Sequence, residues 1–258
     1  MDLQNFVTER LKITSNSKSA TRTAETKDEL RSIIEQELKR QGPDADLNCI
    51  DTSNITDMSA LFEDLDIRNI QVDKWDTSNV TDMASMFYGC EEFTGQTALS
   101  KWDTSKVTKM NSMFDSCKNF NGELSGWDVS NVTNMAYMFL DCDIFEGNSL
   151  GKWDVSNVKN MLGMFDGCEN LVGDGLGNWN VSNVTNMENM FNVCENLDTD
   201  LSKWDVSNVR NISSMFYNCR KLRCNLSHWD LSKINPNNKK KVFYGCDNQP
   251  QRFRAKTK

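Results

Sequence analysis

The chain has 258 residues, 38% hydrophobic and 26% charged, which places it among globular proteins and argues against a wholly disordered chain. Its net charge of −8 is unevenly spread, because from Lys233 onward six Lys and two Arg stand against one Asp, so that end carries +7 and residues 1–232 carry −15. An acidic body repels phosphates, which argues against nucleic acid as its partner. The basic end reads as a solvating tail, with contact to an acidic partner or a lipid surface as the other reading.

The first residues, MDLQNFVTERLKITSNSKSA, hold no apolar run long enough for a signal-peptide core, and no later run approaches a membrane span. As written, the chain reads as cytoplasmic, and as a cell-surface protein if an export signal has been trimmed. NFVTERLKI (5–13) reads as a short helix, and SNSKSATRTA (15–24) as a polar linker. TKDELRSIIEQELKRQG then supplies a strong helix. Thr26 and Glu29 form a capping-box pattern, Leu30, Ile33, Ile34 and Leu38 make one apolar stripe, and Gly42-Pro43 ends it.

From there tryptophan sets a register: Trp75, Trp102, Trp127, Trp153, Trp179, Trp204 and Trp229 follow one another at steps of 27, 25, 26, 26, 25 and 25 residues. An earlier copy, CIDTSNITDMSALF, has Ile50 in the tryptophan place, making eight units. In the unit LSGWDVSNVTNMAYMFLDCDIF (Leu124 to Phe145), the stretch Leu124, Trp127, Val129 reads as a short strand with one buried face. Met135, Met138, Phe139 and Cys142 are spaced by three and four, which predicts one or two helical turns.

One such unit cannot bury its apolar face alone, so neighbours must supply the other wall. The expected fold is therefore an α/β repeat solenoid, a leucine-rich-repeat-like stack of short parallel strands and short helices behind an N-terminal capping helix. The corresponding division is 1–24 N-terminal segment and linker, 25–47 capping helix, 48–246 eight-repeat solenoid and 247–258 basic tail.

Stacking puts like residues above one another. Cys90, Cys117, Cys142, Cys168, Cys194, Cys219 and Cys246 share one repeat position and read as a buried column of reduced thiols, with Cys49 and Cys224 outside it. Asp follows Trp in most units, and stacked carboxylates repel. Two offsets are expected: an Asx-turn to the following Ser-Asn backbone, and a neighbouring column of Lys from the residue before Trp. The unit NWNVSN, with Asn178 and Asn180, loses both charges together.

The motif WDVSNVTNMxxMFxxCxxF, present from Trp127 to Phe145 and repeated with small changes from Ile50 to Cys246, resembles the BspA-type leucine-rich-repeat proteins of bacteria over about three quarters of the chain. The resemblance implies a leucine-rich-repeat-like fold and a surface or interaction protein that binds host proteins or other cells. It carries no catalytic residues across, because the shared motif is structural.

No catalytic set stands out. The single His228 occupies the place that holds Lys in other units, and no P-loop, dinucleotide fingerprint, HExxH or CxxC is present. The oxygen-rich DTSNVTD and DVSNVTN segments suit turns and ladders better than calcium. The N-x-T sequons at Asn79, Asn131 and Asn183 are by-products of the SNVT repeat.

The expectation is thus a non-enzymatic module without cofactor or metal. It binds a protein partner through a polar strand face carrying Lys74, Asp76, Lys101, Asp103, Lys152, Asp154, Lys203 and Asp205. A structural or phage- or virion-associated assembly component and a carbohydrate-binding adhesin are the alternatives.

Overall fold

The computed structural model describes residues 22–96 and 99–248. The segments expected as a short helix (5–13) and a frayed tail (249–258), with most of the 15–24 linker, lie outside the described residues. A two-residue strand β1 (Arg22–Thr23) pairs in parallel with β2 (Ile50–Asp51), Arg22 facing Ile50. Between them runs the one α-helix among the described residues, α1 (Lys27–Gln41).

Helix α1 forms for local reasons. The Thr26 hydroxyl accepts from the Glu29 N–H at 3.2 Å, and the Glu29 carboxylate accepts from the Glu25 N–H at 2.9 Å, so orphan donors at the start are satisfied. Gly42, at φ 85°, ends the helix by donating to the Leu38 carbonyl. Leu30 and Ile34 are buried against the first coil, with Ile33 and Leu38 partly so. Glu37 is buried on the same helix. Burial works to raise its pKa, but bonds from Arg40 and Gln41 and the nearby Arg22 outweigh that, and the carboxyl lies below its ordinary range.

Beyond β2 the repeat is built differently from the expected strand plus helix. In the unit Leu124–Phe145, the Trp127 N–H donates to Leu124, Val132 to Val129, Met138 to Met135, Cys142 to Phe139 and Phe145 to Cys142. Each bond closes a four-residue turn, so the chain proceeds as linked β-turns. The Leu-Trp-Val stretch is no strand: its Leu-to-Trp step of three is a turn, tightened to a 3-10 turn at Leu150–Lys152 and Leu176–Asn178.

The Met-Met-Phe-Cys stretch is no helix either, and the backbone shows why. Tyr137 and Asp141, like Ser85, Ser112 and Val193 in other coils, sit at positive φ between 53° and 59°. A left-handed residue at every fourth place breaks an α-helix and suits the third position of a type II turn.

Coil meets coil through one parallel bridge per turn, running Asp57, Asp82, Lys109, Asn134, Asn160, Asn186, Asn211. Along the Met-Phe stretch after the bridge the donation runs one way, whereas Thr133 before it and Ile144 beyond it donate back, to Thr108 and Lys118. Tyr137, Phe139 and Asp141 all donate their N–H groups forward, to the carbonyls of Leu162, Met164 and Asp166 at 2.8–2.9 Å. The same one-way pattern joins the first coil to the second through Ala60, Phe62 and Asp64.

The core lies inside the coils and is laddered. Trp75, Trp102, Trp127, Trp153 and Trp179 stack in near-parallel pairs with centroids 6.2–6.5 Å apart. The Phe column from Phe62 to Phe243 repeats at 5.1–5.7 Å. Offset stacks at these separations are favourable, and each fully buried Phe adds roughly 1.5–3 kcal/mol over its exposed state. Every buried indole finds an acceptor in the coil before it; Trp127 Nε1, for example, donates to the Leu99 carbonyl at 2.9 Å.

Candidate interaction surface

The eight charged residues singled out in the sequence all lie exposed, on either side of the buried tryptophans. The aspartates hold the turn that follows. Asp76 Oδ1 accepts from the Ser78 N–H at 3.0 Å, and Asp103, Asp154 and Asp205 do the same for Ser105, Ser156 and Ser207. Bonds from Ser105 and Ser156, through side chain and backbone, lower the pKa of Asp103 and Asp154, and the Ser207 bonds do so for Asp205. Asp51, Asp128 and Asp230 carry the same Asx bond, so the acidic column is longer than the four aspartates chosen from the sequence.

The expected pairing of this column with the lysine column is not formed. Lys101 reaches back to Asp73 of the preceding coil at 3.0 Å instead. Residues i and i+2 share a face only in an extended strand; here Lys74 lies inside the Val72–Trp75 turn and Asp76 just beyond it. The lysine column is also interrupted, by Gly126 and Asn178. In the unit that lacks both charges, Asn180 Oδ1 accepts from the Ser182 N–H at 3.2 Å, so the turn survives without the carboxylate.

The neighbouring asparagines are committed to the stack. Asn79, Asn131 and Asn183 donate through Nδ2 to the carbonyls of Ser53, Ser105 and Ser156 in the coil before, at 2.7–3.0 Å. The sequon pattern therefore follows from a ladder bond.

The cysteine column is buried, with every thiol free. Each Sγ donates to the carbonyl of the preceding coil's phenylalanine, as in Cys117 to Phe87 at 3.0 Å and Cys168 to Phe139 at 2.9 Å. Burial pushes Cys90 up to about 12 and the more deeply set thiols well above their ordinary value. Sequence reasoning took these thiols as small hydrophobes and missed the bond. The signal available was that Cys recurs where Ala or Val would fill similar space.

One depression gathers side chains of several chemistries. It is shallow, about 450 Å³, and is lined by Asp198, Asp200, Arg223, Cys224 and His228, among others. Burial pushes the Cys224 thiol up to about 11, so it stays protonated, the wrong direction for a nucleophile. Among the described residues, no group of three or more His, Cys, Asp or Glu side chains is placed to hold a metal, and no helix is long and apolar enough to cross a membrane.

A coil built of linked turns, with Trp, Phe and Cys recurring in buried columns, defines a tandem-repeat protein. The chain belongs to the family described as Mycoplasma protein of unknown function, DUF285, whose profile matches residues 34–149 and again 140–255. Comparison with curated proteins gives no match. Among solved structures, the crystal structure of a TLR13-ssRNA13 complex overlays on 87% of this chain and 53% of its own, at 9% identity and a TM-score of 0.16. The chain spans about half the length of that protein, and the likeness is too slight to carry an argument.

Proposed function

We propose that the chain is a non-catalytic binding module, a leucine-rich-repeat-like solenoid of the BspA type, that recognises a protein partner through the exposed charged face. That face bears Lys74, Asp76, Lys101, Asp103, Lys152, Asp154, Lys203 and Asp205. The observation that supports this reading is internal to the chain. Asn180 performs the Asx-turn in place of Asp, and Gly126 and Asn178 replace Lys, with the coils stacked as elsewhere.

The fold therefore needs an acceptor at the aspartate place but not a negative charge, and nothing charged at the lysine place. Charges that the stack does not require are available to a partner, and exposed charge sets encounter and register at protein interfaces. The same substitution logic supplies a test that spares the fold. Immobilised protein carrying Asp76→Asn, Asp103→Asn, Asp154→Asn and Asp205→Asn should keep its thermal midpoint and lose partners captured by the unaltered chain from its native cells. An identical set of captured proteins would refute the reading.

A further inference from the structure

Along the Met-Phe stretch the two ends of the stack differ in hydrogen-bond polarity. Forward donation along the Met-Phe stretch leaves carbonyls facing out at the first coil and N–H groups facing out at the last. At the first coil the outward carbonyls are covered: Arg31 of α1 donates to Leu61 at 2.9 Å and to Glu63 at 3.1 Å. Leu61 and Glu63 stand where Met86 and Tyr88 stand one coil later, whose carbonyls accept from Phe62 and Asp64. A cation thus takes the place of the missing coil.

At the last coil the relation is reversed. Lys241 and Gly245 occupy the places of Ser214 and Asn218, whose N–H groups donate to Lys240 and Tyr244 at 2.9 and 2.8 Å. Both are exposed, and among the described residues nothing accepts from their N–H groups. Their left-handed backbone, φ 54° at Lys241 and 78° at Gly245, matches that of the inner coils, so the donors are already arranged as a following coil would meet them. Lys239, Lys240 and Lys241 flank this edge. Tyr244, 59% exposed, ends a short ring stack on Tyr217 with centroids 5.1 Å apart.

We infer that this C-terminal edge is a docking site for an extended, acidic segment of a partner protein. The segment's carbonyls accept from the N–H groups of Lys241 and Gly245, its carboxylates meet the three lysines, and an apolar side chain covers Tyr244. Edge addition of a peptide takes affinity from main-chain bonds and specificity from side chains. A second copy in head-to-tail register does not fit, because the carbonyl edge it would offer is held by α1 and Arg31. The site is independent of the lateral charged face.

The test uses the full chain and a fluorescent, end-blocked peptide of alternating Glu and Val with one central Tyr. Saturable binding is expected. Lys239→Glu with Lys240→Glu should weaken it at least tenfold, Tyr244→Ala several-fold, and the four Asp→Asn changes of the lateral face not at all. Circular dichroism reports whether each variant is folded. Independently of any variant, bound peptide should slow amide exchange across residues 239–245 in the unaltered protein. Equal binding of the matching Lys–Val peptide, equal binding of an oligodeoxynucleotide of the same charge, or unchanged exchange at these amides would each overturn the inference. So would concentration-dependent self-association blocked by the lysine reversals, since the edge would then be pairing copies of this chain.

Discussion

The guanidinium of Arg31 donates to the carbonyl of Leu61 at 2.9 Å, joining α1 to the carbonyl edge of the first coil. That contact makes the helix a cap in the hydrogen-bonding sense as well as the apolar one, since Leu30 and Ile34 cover the same coil. Arg31→Met keeps the stem and removes the donors. It should cost roughly 1–3 kcal/mol, the usual penalty for stranding partly buried acceptors, and lower the thermal midpoint. Arg31→Lys, with one donor group in place of a fork, should fall between the two.

Glycine in the turn ladder is demanded by its neighbour as much as by its own backbone. At Gly167, φ is 79° and an added Cβ would clash with Asp141 Oδ1 of the coil before. Gly167→Ala should therefore destabilise by roughly 1–3 kcal/mol. Pairing it with Asp141→Gly should recover part of the loss in denaturant melts.

Asp166 is an acid the fold tolerates poorly when ionised. Burial, then the facing Asp141, raises its pKa to about 6. A carboxyl raised in the folded state contributes stability at pH below its unfolded value, near 4, and loses it as pH climbs through about 6. Asp166→Asn should thus stabilise by up to roughly 2 kcal/mol at pH 7.5, with the gain gone near pH 4. The new amide could also donate to Asn192 Oδ1, which is buried without a partner among the described residues. Thermal melts across pH 4–8 decide this.

The column thiols should resist alkylation at pH 8 until the chain unfolds, because burial holds them protonated. Half-buried Cys49 should label first, followed by Cys224, and intact-mass analysis over time distinguishes them from the rest. Cys168→Ala, which leaves the Phe139 carbonyl without its thiol donor, should cost roughly 1–2 kcal/mol.

The register of the repeat was legible because Trp, Phe and Cys recur at fixed places and the stack puts each on its own kind. Helix α1 was legible from Thr26, Glu29 and Gly42, whose chemistry is local. The backbone inside each coil was not. A spacing of three and four, as in Met135, Met138, Phe139 and Cys142, is shared by an α-helix and by consecutive four-residue turns.

The deciding feature, positive φ at Tyr137 and Asp141, is borne by residues that do not announce it. Where the same places hold glycine, as at Gly89, Gly163, Gly167 and Gly245, composition hints at a left-handed backbone. The eight charged residues lie exposed, but pairing between their two columns would need an extended strand, and none forms there. The polarity of the two ends follows from main-chain bond direction, which no side-chain pattern encodes.

Amine-reactive cross-linking of the intact protein in its native cells, read by mass spectrometry, addresses the lateral face most directly, because its lysines are themselves the reactive groups. The account predicts partner peptides linked to Lys74, Lys101, Lys152 or Lys203. Partner links confined to lysines on other surfaces, such as Lys39, Lys118 and Lys221, with these four unlinked, would contradict it.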